Sequence, residues 1–91
     1  MDRLVLRDLA VFETVARHRS FTAAAAELRI SQSSLSYAVS QLENRIGMAL
    51  LARTTRNVSP TQAGQRLLDT LVPALKDIDE SLANLQEMRE T

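Results

Sequence analysis

The sequence predicts a mainly helical fold with one short β-hairpin and a long final helix. Three observations predict it. Apolar residues recur at helical spacing in the segments before Gly47, two short extended pieces flank a polar turn after it, and leucines repeat with heptad spacing through the last third. Because 91 residues bury only a limited core, we expect a second subunit to add stability.

The first two helices are predicted from an apolar stripe and from a run of alanines. The stripe extends from Leu6 to Ala16, and the basic residues 17–19 suit the C-terminal end of a helix. Ser20 and Thr22 both offer an N-cap oxygen to a short second helix, which we expect at about residues 23–29. Its small side chains allow another helix to approach closely.

The third helix is predicted from about Gln32 to Ile46. Ser31 is a candidate N-cap and Gly47 a helix stop. The apolar side chains recur with spacings of 4, 3 and 4 residues, at Leu35, Val39, Leu42 and Ile46.

The face of this helix opposite its apolar stripe is short, polar and uncharged. It consists of Ser33, Ser36, Tyr37, Ser40, Gln41 and Asn44. An ordinary solvated face carries Lys, Glu and Arg, whereas the only acid of this helix is Glu43, toward the edge of the face. Gln and Asn can read adenine in a DNA major groove, and Ser or an aromatic ring can meet the thymine methyl group. The alternative is a polar surface helix without a partner.

The segment after Gly47 is typical of a small β-wing. Arg53 and Arg56 flank its turn, with Thr54, Thr55 and Asn57 beside them. Arginines next to a groove-reading helix can bind phosphates or enter a minor groove. Taken alone, the loop would favour two solvated arginines, and its position after the polar helix shifts the interpretation toward DNA.

The last helix is predicted from Gln62 to Arg89, roughly 42 Å long. Pro60 excludes helix before it, Thr61 can cap it, and Pro73 should bend it. Its apolar seam consists of Leu68, Leu71, Leu75, Ile78, Leu82 and Leu85. A second copy is the expected cover for this seam. The alternative is a helix packed along its own domain, as we expect for the first turns around Leu68.

The amino-acid composition limits the classes of function that fit this sequence. The net charge is zero, but residues 1–60 hold eight Arg against five acids, and residues 61–91 hold three cations against six acids. One His, no Cys and two isolated Gly argue against an enzyme, a cofactor or a metal site. No apolar run is long enough for a membrane, so we expect a cytoplasmic protein. A dimerising interaction module that does not bind DNA is the main rival.

Together these parts are those of a winged helix-turn-helix followed by a dimerisation helix. The segments SFTAAAAEL, ISQSSLSYAVSQLENRIGMALLART and PTQAG resemble the N-terminal DNA-binding domain of LysR-type transcriptional regulators, over about residues 4–65. The resemblance assigns residues 1–60 to the DNA-binding domain and 61–91 to the linker and dimerisation helix. It implies a bacterial regulator that binds an interrupted inverted repeat in double-stranded DNA near a promoter. Such regulators bind as homodimers, often paired into tetramers, and bind a small-molecule effector through a C-terminal domain that these residues lack.

The resemblance also implies roles for particular residues. Gln32, Ser33, Ser36 and Tyr37 match positions that contact bases and flanking phosphates, Thr22 matches a phosphate contact, and Arg53 matches the wing arginine. The polar face and the wing add Ser34, Ser40, Gln41 and Arg56.

Comparison with the sequence pattern of the family leads to a further expectation at each of three positions. Tyr37 stands where Arg is frequent, which predicts less preference for guanine. Arg19 stands where Gly is usual, which predicts a turn without a positive φ. Glu43 is expected to form an ion pair on the helix surface.

Overall fold

The computed structural model describes residues 2–55 and 57–90, and the predicted mainly helical fold with one hairpin is confirmed. The elements are α1 (Arg3–His18), α2 (Phe21–Leu28), α3 (Gln32–Ile46), β1 (Leu51–Arg53), β2 (Val58–Pro60) and α4 (Gln62–Glu90). The two strands pair antiparallel, with Ala52 opposite Ser59. Among the described residues, no helix has the length and apolarity needed to cross a membrane.

The core lies where α1, α2 and α3 meet, closed on one side by the hairpin and by the first turns of α4. Its largest fully buried side chains are Phe12, Val15, Leu35, Val39, Leu42 and Leu50. Ala24 and Ala25 of α2 are also buried, so the alanine run serves the close helix packing that the sequence predicts. α3 is therefore held on its apolar side and presents its polar side outward.

The turn between α1 and α2 corrects two expectations. Arg19 has φ +53°, so the prediction that this turn needs no positive φ is wrong. Its N–H still donates to Val15 O at 2.8 Å, which continues the helical bonding while the backbone turns left-handed to end α1. α2 begins at Phe21 rather than at residue 23, because Ser20 Oγ, and not Thr22, accepts the capping bond from Ala23 N–H at 3.1 Å.

Side chains toward the C-terminal ends of α1 and α2 form an ion cluster. Arg17 binds Glu13 at 3.1 Å and Glu27 at 2.8 Å, and His18 Nε2 lies 2.8 Å from Glu27. Arg17 first, and then His18, lower the pKa of Glu27 to about 2. The contribution of this carboxylate to stability is full above about pH 4.5 and is lost as the pH falls toward 2.

α3 has the bounds that the sequence predicts, from the N-cap Ser31 to the C-cap Gly47. Glu43 differs from expectation, because it forms no surface ion pair among the described contacts. Its Oε2 accepts from the N–H of Leu50 at 2.7 Å and of Leu51 at 3.3 Å. The carboxylate thus satisfies the two amides that lead into β1.

α4 begins against the same segment. Thr61 caps it by accepting from Gly64 N–H at 3.1 Å, and the Thr61 hydroxyl donates to Ala49 O at 2.7 Å. Gly64 lies so close to Leu50 that a Cβ there would overlap the Leu50 carbonyl oxygen. The helix then continues through Pro73 to Glu90, and the molecule extends to 50 Å along its longest axis.

Replacing Arg19 by Gly should raise the free energy of unfolding by about 0.5 to 1 kcal/mol, since Gly adopts the left-handed backbone without the Cβ penalty. The control Arg19→Ala keeps the penalty and removes the charged side chain. Urea denaturation measures both variants. A gain in Arg19→Ala equal to that in Arg19→Gly would show that charge and not backbone conformation is responsible.

Replacing Glu43 by Ala should lower the free energy of unfolding by about 2 kcal/mol, because two part-buried amides lose a charged acceptor. Glu43→Gln keeps a neutral acceptor and should lose less. Urea denaturation again provides the comparison, and equal stability of Glu43→Ala and the parent chain would contradict the assigned contact.

Candidate nucleic-acid interface

The polar side of α3, the start of α2 and the hairpin form one continuous exposed surface. Gln32, Ser33, Ser34, Tyr37, Ser40 and Gln41 are exposed on α3, whereas Ser36 is half-buried. Thr22 is exposed in the first turn of α2, and Arg53 is exposed at the end of β1. Arg56 lies outside the described residues.

A hydrogen bond between α2 and α3 joins two of the predicted site residues. Gln32 Nε2 donates to Thr22 Oγ1 at 3.2 Å, although ten residues separate them in the chain. The bond leaves the Oε1 atom of Gln32 as an acceptor and its second N–H as a donor. Gln32 and Thr22 therefore belong to one local network.

The serines at the start of α3 are organised around the N-cap. Ser31 Oγ accepts from Ser34 N–H at 3.1 Å and donates to Ser34 Oγ at 2.9 Å, and Ser33 Oγ lies 3.2 Å from Ser31 Oγ. These short side chains form a low ridge and leave the helix backbone close to the surface. A ligand can thus approach the serines in the first turn of α3 closely.

The arginine of the wing is held over an aromatic ring. The Arg53 guanidinium carbon lies 4.1 Å from the centroid of the Phe21 ring, a distance typical of a cation–π contact. Phe21 precedes Thr22, so the contact brings the wing cation beside the start of α2. No pattern in the sequence predicts a role for Phe21, since one aromatic residue at a helix start does not indicate which cation will cover it.

A groove separates α3 from the beginning of α1. Arg7 and Asp8 line one wall, and Tyr37, Gln41 and Arg45 line the other. Burial raises the pKa of Asp8, and the nearby cations Arg7 and Arg45 oppose this effect. The groove extends the polar surface of α3 toward α1, where Arg7, Asp8 and Arg45 carry charges of both signs.

The predicted seam of α4 divides into two parts. Leu68 and Leu71 are buried in the core of their own domain, and half-buried Leu75 packs against that core. Ile78, Leu82 and Leu85 extend past the body of the domain and remain 54 to 57% exposed. One helical face therefore has an intramolecular cover for its first turns, and the described residues provide none for its last turns.

The fold and this surface define a winged helix-turn-helix protein with a long C-terminal helix. Residues 6–65 match the family model of bacterial regulatory helix-turn-helix proteins of the lysR family. Because this match covers about two thirds of the chain, the protein belongs to that family.

Relatives and solved structures agree with this assignment. The chain is 49% identical over 89 residues to the HTH-type transcriptional regulator PgrR of Escherichia coli K12, covering 98% of this chain and 30% of PgrR. It is 40% identical to CfxR of Cupriavidus necator, covering 96% of this chain and 28% of CfxR. The crystal structure of the BenM DBD in complex with catB site 1 DNA matches with a TM-score of 0.84 and 31% identity, covering 100% of this chain and 98% of that one. The chain thus spans less than a third of the length of these curated relatives.

Proposed function

We propose that this chain binds double-stranded DNA sequence-specifically as a homodimer and forms the DNA-binding part of a bacterial transcriptional regulator that acts in the cytoplasm. The observation that carries the proposal is the exposed face of α3, which has hydroxyl and amide groups and no acid. Its geometry fits a major groove about 12 Å wide, because a helix with side chains is about 10 to 12 Å across. Short side chains allow such a helix to lie deep in the groove.

The flanking residues fit contacts to the DNA backbone. Thr22 presents a hydroxyl at the start of α2, where the N-terminal end of a helix favours a phosphate. Arg53, held against Phe21, supplies a positioned cation for a neighbouring phosphate. Phosphate contacts fix the register of α3 on the duplex, so that its polar side chains meet defined base edges.

The exposed part of the α4 seam supports the homodimer. Three large apolar side chains on one face, Ile78, Leu82 and Leu85, need a cover that the domain of their own chain does not reach. A second α4 supplies it, and the dimer presents two copies of α3 to successive major grooves. The matching DNA is an inverted repeat. In a full-length regulator of this family, we propose in addition an effector-binding domain and assembly into a tetramer. Both lie beyond the length of the relatives that this chain spans.

The relatives support the same function in their own right. Those named above are called HTH-type transcriptional regulators, and the BenM DBD was crystallised with DNA. The rival function, an interaction module that dimerises through α4 without binding DNA, uses the exposed seam but gives no role to the α3 face.

Two substitutions separate base reading from phosphate binding. Gln32→Ala should reduce discrimination at one base position by about 1 to 3 kcal/mol, whereas Arg53→Ala should weaken binding to all sequences alike and reduce the salt slope by about 1. Selection of sites from a random duplex library at two salt concentrations, followed by sequencing, measures both effects. Arg89→Ala, at the far end of α4, is the control for removal of a cation.

Equal losses of specific and nonspecific binding in both variants would contradict the role of α3 in base reading. A parent chain that selects no sequence at low salt while it remains dimeric would instead favour the interaction module.

Leu82→Glu should dissociate the dimer, because it places a charge in the middle of the exposed seam. Ala83→Glu adds the same charge on another side of α4 and should leave the dimer intact. Sedimentation velocity at equal concentrations measures the change. An unchanged sedimentation coefficient for Leu82→Glu, or equal dissociation by both variants, would exclude this face as the interface.

A further inference from the structure

Two exposed side chains on the outer face of α3 are bonded to each other. Gln41 Nε2 donates a hydrogen bond to the Tyr37 hydroxyl oxygen at 2.7 Å, one helical turn away. Tyr37 is 66% exposed and Gln41 is exposed as well, so no burial forces this contact. The pair lies in the middle of the surface that faces DNA in the proposed function.

The direction of this bond determines what Tyr37 can offer to a ligand. A tyrosine hydroxyl has one O–H donor, and its oxygen here accepts from Gln41. Its own hydrogen cannot point toward the Gln41 N–H, so it is available to an acceptor on a ligand. Tyr37 therefore presents a donor at this place.

Two polar neighbours along the helix have partners outside the pair. Ser34, one turn before Tyr37, receives the hydrogen bond of Ser31 Oγ. Arg45, one turn after Gln41, lies 3.9 Å from the carboxylate of Asp2. Among the described contacts, the bond from Gln41 is the one made to the Tyr37 hydroxyl.

We propose that Tyr37 and Gln41 form one base-reading unit, in which Gln41 is a positioning residue that makes the Tyr37 hydroxyl a donor. The unit favours a base edge with an acceptor, such as guanine O6 or N7 or thymine O4, and disfavours cytosine, whose edge carries an amine donor. This inference rests on the proposed function. It adds that discrimination at one base pair depends on two side chains jointly.

The first test is a double-mutant cycle on base preference. Sites are selected from a random duplex library by the parent chain, Tyr37→Phe, Gln41→Ala and the double variant. Tyr37→Phe should reduce discrimination against cytosine at one base pair by about fivefold, the effect of one hydrogen bond. Gln41→Ala should reduce it at the same base pair, and the double variant should lose no more there than Tyr37→Phe alone.

The second test reverses the bond. In Gln41→Glu a carboxylate can only accept, so the Tyr37 hydroxyl donates to it and offers its lone pairs to the DNA. The preference at that base pair should shift toward cytosine or the adenine amine by about fivefold or more. Thr55→Glu adds the same charge on the wing, away from the polar face of α3; it should lower overall affinity and leave the preference at this base pair unchanged.

Each outcome decides between the possibilities. Effects of Tyr37→Phe and Gln41→Ala that fall on different base pairs, or that multiply in the double variant, would overturn the inference while leaving the proposed function intact. The same holds if Gln41→Glu and Thr55→Glu give the same base profile. A parent chain that enriches no sequence would overturn the proposed function and this inference together. Thermal unfolding midpoints equal to that of the parent chain show that exposed substitutions changed recognition and not folding.

Discussion

The segment from Ala49 to Leu51 determines how the other parts of the molecule are arranged. Glu43 of α3 accepts its amide hydrogens, Thr61 at the start of α4 donates to Ala49 O, and Thr61 N–H donates to Leu50 O at 3.0 Å. Because Gly64 has no Cβ, the backbone of α4 can pack directly against the backbone of Leu50. Three elements, α3, the hairpin and α4, are thereby fixed to one segment of backbone. Because the spacing of two half-sites on DNA depends on the angle between α3 and α4, this junction links the fold to the proposed dimer.

Hydrogen bonds between neighbours arrange the candidate interface before any ligand arrives. Gln32 is bonded to Thr22, Tyr37 to Gln41, and the wing cation Arg53 lies on Phe21. Ordering exposed side chains on binding costs conformational entropy, and contacts already present in the free protein reduce that cost. They also decide which atoms remain available as donors and acceptors. In the proposed function, specificity on this surface therefore depends on pairs of side chains as well as on individual residues.

The sequence predicts local features well because their causes are local. The bounds of α3, its caps at Ser31 and Gly47, and the start of α4 after Thr61 each depend on a few adjacent residues. The positive φ of Arg19 was missed, since the residue type normally disfavours it and only the packing of α1 against α2 requires the turn.

Features that depend on distant contacts were beyond the sequence pattern. Glu43 is expected to form an ion pair on the helix surface, because nothing in the helical period shows that its carboxylate reaches the amides of residues 50 and 51. Leu68 and Ile78 share one apolar seam in the sequence, yet only Leu68 meets the core of its own domain. DNA binding through α3, the start of α2 and the wing is best tested by NMR titration of the ¹⁵N-labelled chain with a short duplex of mixed sequence at low salt. We expect amide shift changes concentrated in residues 20–23, 31–41 and 53–58, with little change in 78–90. Changes confined to α4, or none in a chain that remains folded and dimeric, would show that this surface does not bind DNA.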